Sequence, residues 1–441
     1  MLASVYKEKT VAELFIFRHL SKSQGGFSPM AMIQPFHGLR PAEAYAASIA
    51  ALPYDVYNRA EAKKIVADNP MSFLKIDRAE TQFPDTTDLY APEVYARARD
   101  TLQEMIGDGA FIREDSACFY LYALTMNGRT QNGIVGCASI DDYLNNVIRK
   151  HENTREEKES DRIRHVDVTS AQTGPIFLAY RPEKQLSEII RTIRESAPLY
   201  DFVSEDGVRH QLWKIDQPDR IETIRKIFSG IEHIYIADGH HRAASAVKVG
   251  LKRRAEHPGY DSTEEFNYFL SVLFPADELC IYDYNRVVDG LNGYTFDTLL
   301  EKLKDTFLIE KTGTFRRPLC KGELALYGNN SWYSLKIHSR IFTGDPVADL
   351  DVSVLQDHVL APLLGIRDPK TDGRIHFVGG IRGTDELVRL ADTPDRIAFA
   401  MYPTSMEELL SVADAGRLMP PKSTWFEPKL RSGLLIHEIE R

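Results

Sequence analysis

From Glu232 to Ala246 the chain reads Glu-His-Ile-Tyr-Ile-Ala-Asp-Gly-His-His-Arg-Ala-Ala-Ser-Ala. The β-branched and aromatic first part predicts a buried strand, and the Ala-rich second part predicts a helix. Between them stands Asp238-Gly239-His240-His241-Arg242. A strand that breaks at a glycine and turns directly into a helix leaves the first helical N–H groups without partners. The positive end of the helix dipole adds to them and favours an anion there. Gly239 removes the side chain that would block a close approach of the backbone. His240, His241 and Arg242 add donors suited to phosphate oxygens. This turn therefore reads as a phosphate cradle. Adjacent histidines on a helix do not face one side, and no Cys lies near, so the sequence disfavours zinc here.

The chain around the turn has 441 residues, which at about 150 residues per unit predicts two or three units. Its 43% hydrophobic and 27% charged residues are those of an ordinary globular protein. No apolar run approaches the roughly 18–20 residues of a membrane span. The formal charge of -10 argues against broad nucleic-acid binding, which needs a basic face. Cys118, Cys137, Cys280 and Cys320 are far apart and form no Cys-x-x-Cys pair. They read as reduced thiols of a cytoplasmic protein. A homo-oligomer stays open.

Periodicity predicts a mixed α+β chain. Residues 1–29 read as a disordered or non-native extension, with Met30 and Met32 available as starts. Residues 30–260 are expected to form the catalytic core, and residues 261–441 an α+β C-terminal domain that completes the site. Residues 71–76 and 117–126 read as strands. Asn127-Gly128 marks a hairpin with a return over 131–140. Residues 208–215 read as a strand pairing near the cradle. Residues 279–288 form another strand, and 323–337 a hairpin around Asn329-Asn330. Residues 156–168 read as a charged helix with a mostly solvated face and i,i+4 pairs. Thr154 stands as its N-cap, with Glu157 at the capping-box position, which leaves His151 and Glu152 in the loop.

Several runs, taken in order, resemble a known family. They are Pro53-Tyr54-Asp55-Val56, Asn69-Pro70, His151-Glu152-x-Thr154, Ala237-Asp238-Gly239-His240-His241-Arg242 and Pro421-Lys422-Ser423-Thr424. Together they look like the signature runs of domain-of-unknown-function family 1015, from about Ile33 onward. The Asp-Gly-His-His-Arg core is also similar to the phosphate-binding fingerprint of ParB/sulfiredoxin-like folds, a superfamily that includes free-serine kinases. The resemblance implies a ParB/sulfiredoxin-like core and a small-molecule kinase. Such an enzyme would transfer phosphate from pyrophosphate or a nucleotide to free L-serine, giving O-phosphoserine, with Mg²⁺ expected and no organic cofactor.

Phosphoryl transfer asks a protein for positioning, charge neutralisation and a base. On this reading Gly239, His240, His241, Arg242 and Lys422 meet the phosphates. Asp238 binds Mg²⁺ or caps the helix. Glu152 is the candidate base for the acceptor hydroxyl, and His151 orients it or touches phosphate. Asp55, Thr154, Arg162 and Arg286 are candidate substrate contacts; Asp55 is equally a turn residue and Thr154 a cap. Two other classes stay open: a nucleotide-binding regulator or ParB-like DNA-associated protein, and a phosphatase acting on phosphoserine or nucleotides.

Overall fold

A computed structural model describes residues 30–154 and 156–440. The expectation for residues 1–29 falls outside them. The fold is mixed α+β, built on two large sheets.

The first sheet has nine strands: β1 (Ile33–Gln34), β2 (Phe119–Met126), β3 (Arg129–Ser139), β4 (Ile148–Arg149), β5 (Ile176–Tyr180), β6 (Tyr200–Val203), β7 (Arg209–Ile215), β8 (Ile234–Asp238) and β9 (Tyr268–Pro275). Their order is β4-β8-β5-β9-β3-β2-β7-β6, with β1 beside β3. The β2–β3 hairpin turns at Asn127 and Gly128, both at positive φ (53° and 77°). A tight hairpin needs that conformation at both central residues, which favours Asn-Gly.

Sheet order also overturns one expectation. Strand β7 pairs with β2 and β6, at the opposite end of the sheet from β8. Strand-like patterning sets a strand's two faces but not its neighbour. The sheet also draws in β9, beyond the residue-260 boundary expected from the sequence.

The second sheet contains β10 (Tyr284–Asp289), β11 (Phe307–Lys311), β12 (Glu323–Gly328), β13 (Ser331–Ile337), β14 (Ile375–Gly379) and β15 (Arg396–Ala400), in the order β11-β13-β12-β15-β10-β14. Its β12–β13 hairpin turns at Asn329 and Asn330, at φ 47° and 55°. The strand expected over 279–288 is broken in two, Ile281–Tyr282 and β10, on either side of Asp283. One apolar cluster runs through both sheets, from Phe36, Tyr120 and Phe274 to Leu326 and Phe399. Burying each such side chain contributes about 1.5–3 kcal/mol.

Four helices matter for the site: α1 (Pro92–Gly107), α2 (Glu156–Thr169), α3 (His240–Glu256) and α4 (Met406–Asp414). Residues 71–76, expected as a strand, instead form a turn and a short helix, Leu74–Asp77, beneath α1. Phe73, Leu74 and Ile76 are all buried there. A short apolar run suits a buried helical turn as well as a strand, and packing decides.

The chain ends by returning to the first sheet. His437–Glu438 pairs with Ala171–Gln172, and Trp425–Phe426 pairs with Ile281–Tyr282. Phe426 packs at a tilt against Phe177 of β5, with ring centroids 5.4 Å apart. This return brings residues 419–432 against the Asp238 turn.

Candidate functional site

Strand β8 ends at Asp238 and α3 begins at His240, so Gly239 alone makes the corner. Its φ of 92° is a conformation that glycine tolerates best. A Cβ at Gly239 would lie 3.0 Å from Arg242 Nη2 and 3.1 Å from Nε. The guanidinium thus folds back over the glycine, where Nη1 donates to the Pro175 carbonyl at 2.6 Å. Arg253 and Arg254 in the last turn of α3 complement its dipole, and its first turn carries no acid. The strand–turn–helix read from the sequence is therefore present, with Gly239 as the N-cap and no side chain capping it.

Asp238 does not cap the helix. Its Oδ1 accepts from the Gly239 N–H at 2.9 Å, and its Oδ2 accepts from Lys429 Nζ at 3.1 Å. Burial alone would raise its pKa, but Lys429 and Arg242 outweigh it and hold the carboxyl well below the usual range. Lys429 is held above the ordinary lysine range: burial opposes its charge, and Asp238 and Glu427 overcome that. The expected Mg²⁺ role does not fit well, because Mg²⁺ needs a near-octahedral set of oxygens. One oxygen of Asp238 already serves an ammonium and the other a main-chain N–H. Lys429 carried no signal in the sequence, since only the return of the C-terminal segment brings it here.

His240 is buried and meets His151, 4.5 Å away between ring centroids and edge-on at 89°. His151 and Glu152 lie in the loop between β4 and α2, as expected. Ligand atoms of His151, Glu152 and His240 all lie within 4.8 Å of one another. Neither nitrogen of His151 nor Nε2 of His240 has a well-formed hydrogen bond. Burial lowers His151 to about 4 and drives His240 well below its ordinary value, so both imidazoles are neutral at pH 7. His240 thus brings no positive charge to a phosphate. The sequence argument against zinc weighed the adjacent pair and the absence of a nearby Cys; His240 instead meets His151, which follows the neighbouring strand β4. The main chain secures this loop, with the Met419 N–H donating to the His151 carbonyl at 2.8 Å.

Helix α2 keeps the exposed face expected of it at Glu156, Glu157, Lys158 and Arg164, but its other face is buried. Glu159, Arg162, His165, Val166 and Thr169 make a buried and largely polar stripe. Arg162 lies over the Tyr54 ring at 4.0 Å, and its Nε donates to Asp161 at 2.8 Å. Burial opposes the Arg162 charge, but Asp161 more than compensates and keeps its pKa above the usual range. Thr154 donates to Glu159 at 2.6 Å. Tyr54, Asp77, Arg162, His165, Thr173 and Arg242, with Val166, Ile176 and Leu270, line one small cavity. Within it Thr173 donates to Asp77 at 2.7 Å.

A family model described as "Protein of unknown function (DUF1015)" matches residues 33–353. The chain belongs to the DUF1015 family. No curated protein matches it in sequence. Among solved structures, the DUF1015 chain is similar to SbnI with C-terminal truncation from Staphylococcus aureus, at 12% identity and a TM-score of 0.36, covering 68% of this chain and 85% of that one. It is also similar to a free serine kinase in complex with AMP, at 15% identity and a TM-score of 0.34, covering 68% of this chain and 92% of that one. A conserved hypothetical protein from Pyrococcus furiosus shows 15% identity, a TM-score of 0.33 and coverage of 68% and 95%.

The remaining candidates of the DUF1015 chain separate into two groups. Asp55 sits in the Pro53–Val56 turn, exposed, and its charge is felt at Lys429. Arg286 and Lys422 bond to each other: Arg286 Nη2 donates to the Lys422 carbonyl at 3.0 Å, and Nη1 donates to that of Tyr284. Arg286 is fully enclosed on β10, and burial lowers its pKa to about 10. Lys422 stands at φ 62° with its ammonium over the Tyr284 ring at 5.6 Å. These two build the wall beneath Trp425, which stacks edge-on against Tyr284 at 5.0 Å and carries the Lys429 ammonium at 5.1 Å. Among the described residues, no helix is long and apolar enough to cross a membrane.

Proposed function

We propose that this protein is a small-molecule kinase with a ParB/sulfiredoxin-like phosphate-binding core, transferring phosphate from pyrophosphate or a nucleotide to the hydroxyl of free L-serine. The observation that carries this reading is the juxtaposition at one corner. A glycine turn opens the N-terminus of α3, Arg242 folds over it, and Arg242 lines the same small cavity as Arg162 and Tyr54.

The donor's terminal phosphates lie against the Gly239–His241 amides, with Arg242 neutralising charge and His241 and Lys422 as further donors. Glu152 takes the proton of the serine hydroxyl, and the freed oxygen attacks the terminal phosphorus. The bond from that phosphorus to the bridging oxygen breaks, and its electrons leave with the rest of the donor. Positioning and charge neutralisation supply most of the catalysis, and the base adds about 10²–10⁴ in rate. Arg162 answers the serine carboxylate and Asp55 its ammonium, with Thr154, Arg286 and His151 shaping the walls. A Mg²⁺ carried by the donor would screen phosphate charge beside Arg242, with Asp238 held by Lys429 and the Gly239 N–H.

The test is a donor-by-acceptor screen following phosphoserine, with Mg²⁺ present. Phosphoserine should form from serine with at least one of pyrophosphate, ADP or ATP. Glu152→Gln should abolish it while the far-UV circular dichroism is unchanged. Full activity in that variant would remove the proposed base, and no phosphoserine from any donor would sink the reading.

A further inference from the structure

His151 and His240 have no role as cations in the kinase reading, and Glu152, the base in that reading, stands beside them. His151 and His240 are 2% and 7% exposed; Nε2 of His240 has no hydrogen bond, and His151 has only a poorly formed one to the Ile236 carbonyl. Buried polar groups are nearly always paired, so such nitrogens in a native core ask for a partner. Their arrangement suggests which one. Two imidazoles that share one tetrahedral ion, each through a nitrogen at about 2.1 Å, bring their rings into close contact. The centroids here are 4.5 Å apart with the rings at 89°. A carboxylate from Glu152 completes a set whose donor atoms all lie within 4.8 Å of one another.

We propose that His151, Glu152 and His240 bind one divalent transition-metal ion of the zinc and cobalt type, a site separate from any Mg²⁺ carried by a phosphate donor. Two imidazoles and one carboxylate suit Zn²⁺, Co²⁺, Fe²⁺ or Ni²⁺, whereas Mg²⁺ demands oxygen ligands in near-ideal octahedral array. Three protein ligands leave coordination positions open, as catalytic rather than structural sites do. The ligands come from the loop before α2 and from the first residue of α3, so the ion would pin that loop to the turn. Asp238 stays outside the set, being held by Lys429.

The experiment uses the full, untagged chain stripped of metal by a chelator and titrated with Co²⁺ alone, without serine or donor. One Co²⁺ per chain should bind with a visible d–d spectrum, be displaced by stoichiometric Zn²⁺, and survive a large excess of Mg²⁺. His151→Ala and His240→Ala should each weaken Co²⁺ binding by about 100-fold or more, while Asp238→Asn should change it by less than about tenfold. Failure of the unaltered chain to bind one Co²⁺ would overturn the proposal, and that result does not depend on any variant folding. So would equal competition by Mg²⁺, or unchanged binding in both histidine variants with native circular dichroism. Absence of kinase activity would leave this result standing, since no turnover is read.

Discussion

Lys429 Nζ lies 3.1 Å from Asp238 Oδ2, across 191 residues of sequence. The pair ties the C-terminal return to the end of β8 and fixes the residue that precedes the glycine turn. Lys429→Met should lower stability by about 1–3 kcal/mol at pH 7, less than for a fully buried pair because the Asp238 side chain is 36% exposed. Adding Asp238→Asn should recover part of that loss, and chemical denaturation of the two single variants and the double variant measures it. The pH dependence has a definite sign. The Asp238 pKa is depressed on folding, so its contribution is full above about 4, the unfolded value, and fades as pH falls.

Gly239→Ala should disturb both the backbone and its neighbour. A non-glycine residue in the left-handed region costs about 1–2 kcal/mol, and the new Cβ would crowd Arg242 Nη2 at 3.0 Å. Gly109, at φ 75°, has nothing within 4 Å of its would-be Cβ. Gly109→Ala is therefore the control. Both should lower Tm by a few degrees, but only Gly239→Ala should also weaken donor binding, read by calorimetric titration with pyrophosphate and ADP.

Arg242→Ala should weaken the donor more than the acceptor. A charge-assisted hydrogen bond contributes about 1.5–3 kcal/mol, which corresponds to roughly 10–100-fold in donor KM. The serine KM should move far less. Equal changes in both would mean that Arg242 shapes the cavity without gripping phosphate.

His210 offers a pH test away from the site. It stacks between Phe202 and Tyr122, and Tyr122 Oη lies 2.7 Å from its Nδ1. Burial, with Arg431 beside it, lowers its pKa to about 3. The unfolded histidine titrates near 6.5. The stability it contributes is therefore full above about 6.5 and is lost as pH falls from there toward 3. His210→Gln should flatten the fall of Tm over that window, and scans at stepped pH would show it.

Local patterning carried the sequence reading where one residue's conformation or one face decided the structure. Asn127-Gly128 and Asn329-Asn330 gave both hairpins, because their turns need positive φ. The run from Ile234 into α3 gave the strand, the glycine corner and the helix N-terminus in the right order. It also placed His151 and Glu152 in the loop ahead of α2. Where the sequence misled, the deciding contact lay far off in the chain. Residues 71–76 are apolar enough for a strand, and their packing under α1 made them helical. The charges of α2 suit a solvated face, yet Tyr54 and Asp161 gave Arg162 a buried place.

By itself, then, the sequence determined the strand–glycine–helix corner, since backbone geometry and the helix dipole act within a few residues. Only the tertiary structure decided that His240 turns to His151 and that Asp238 pairs with Lys429. Strand order and the C-terminal return set those meetings, and no short-range pattern encodes which distant side chain arrives at a given corner.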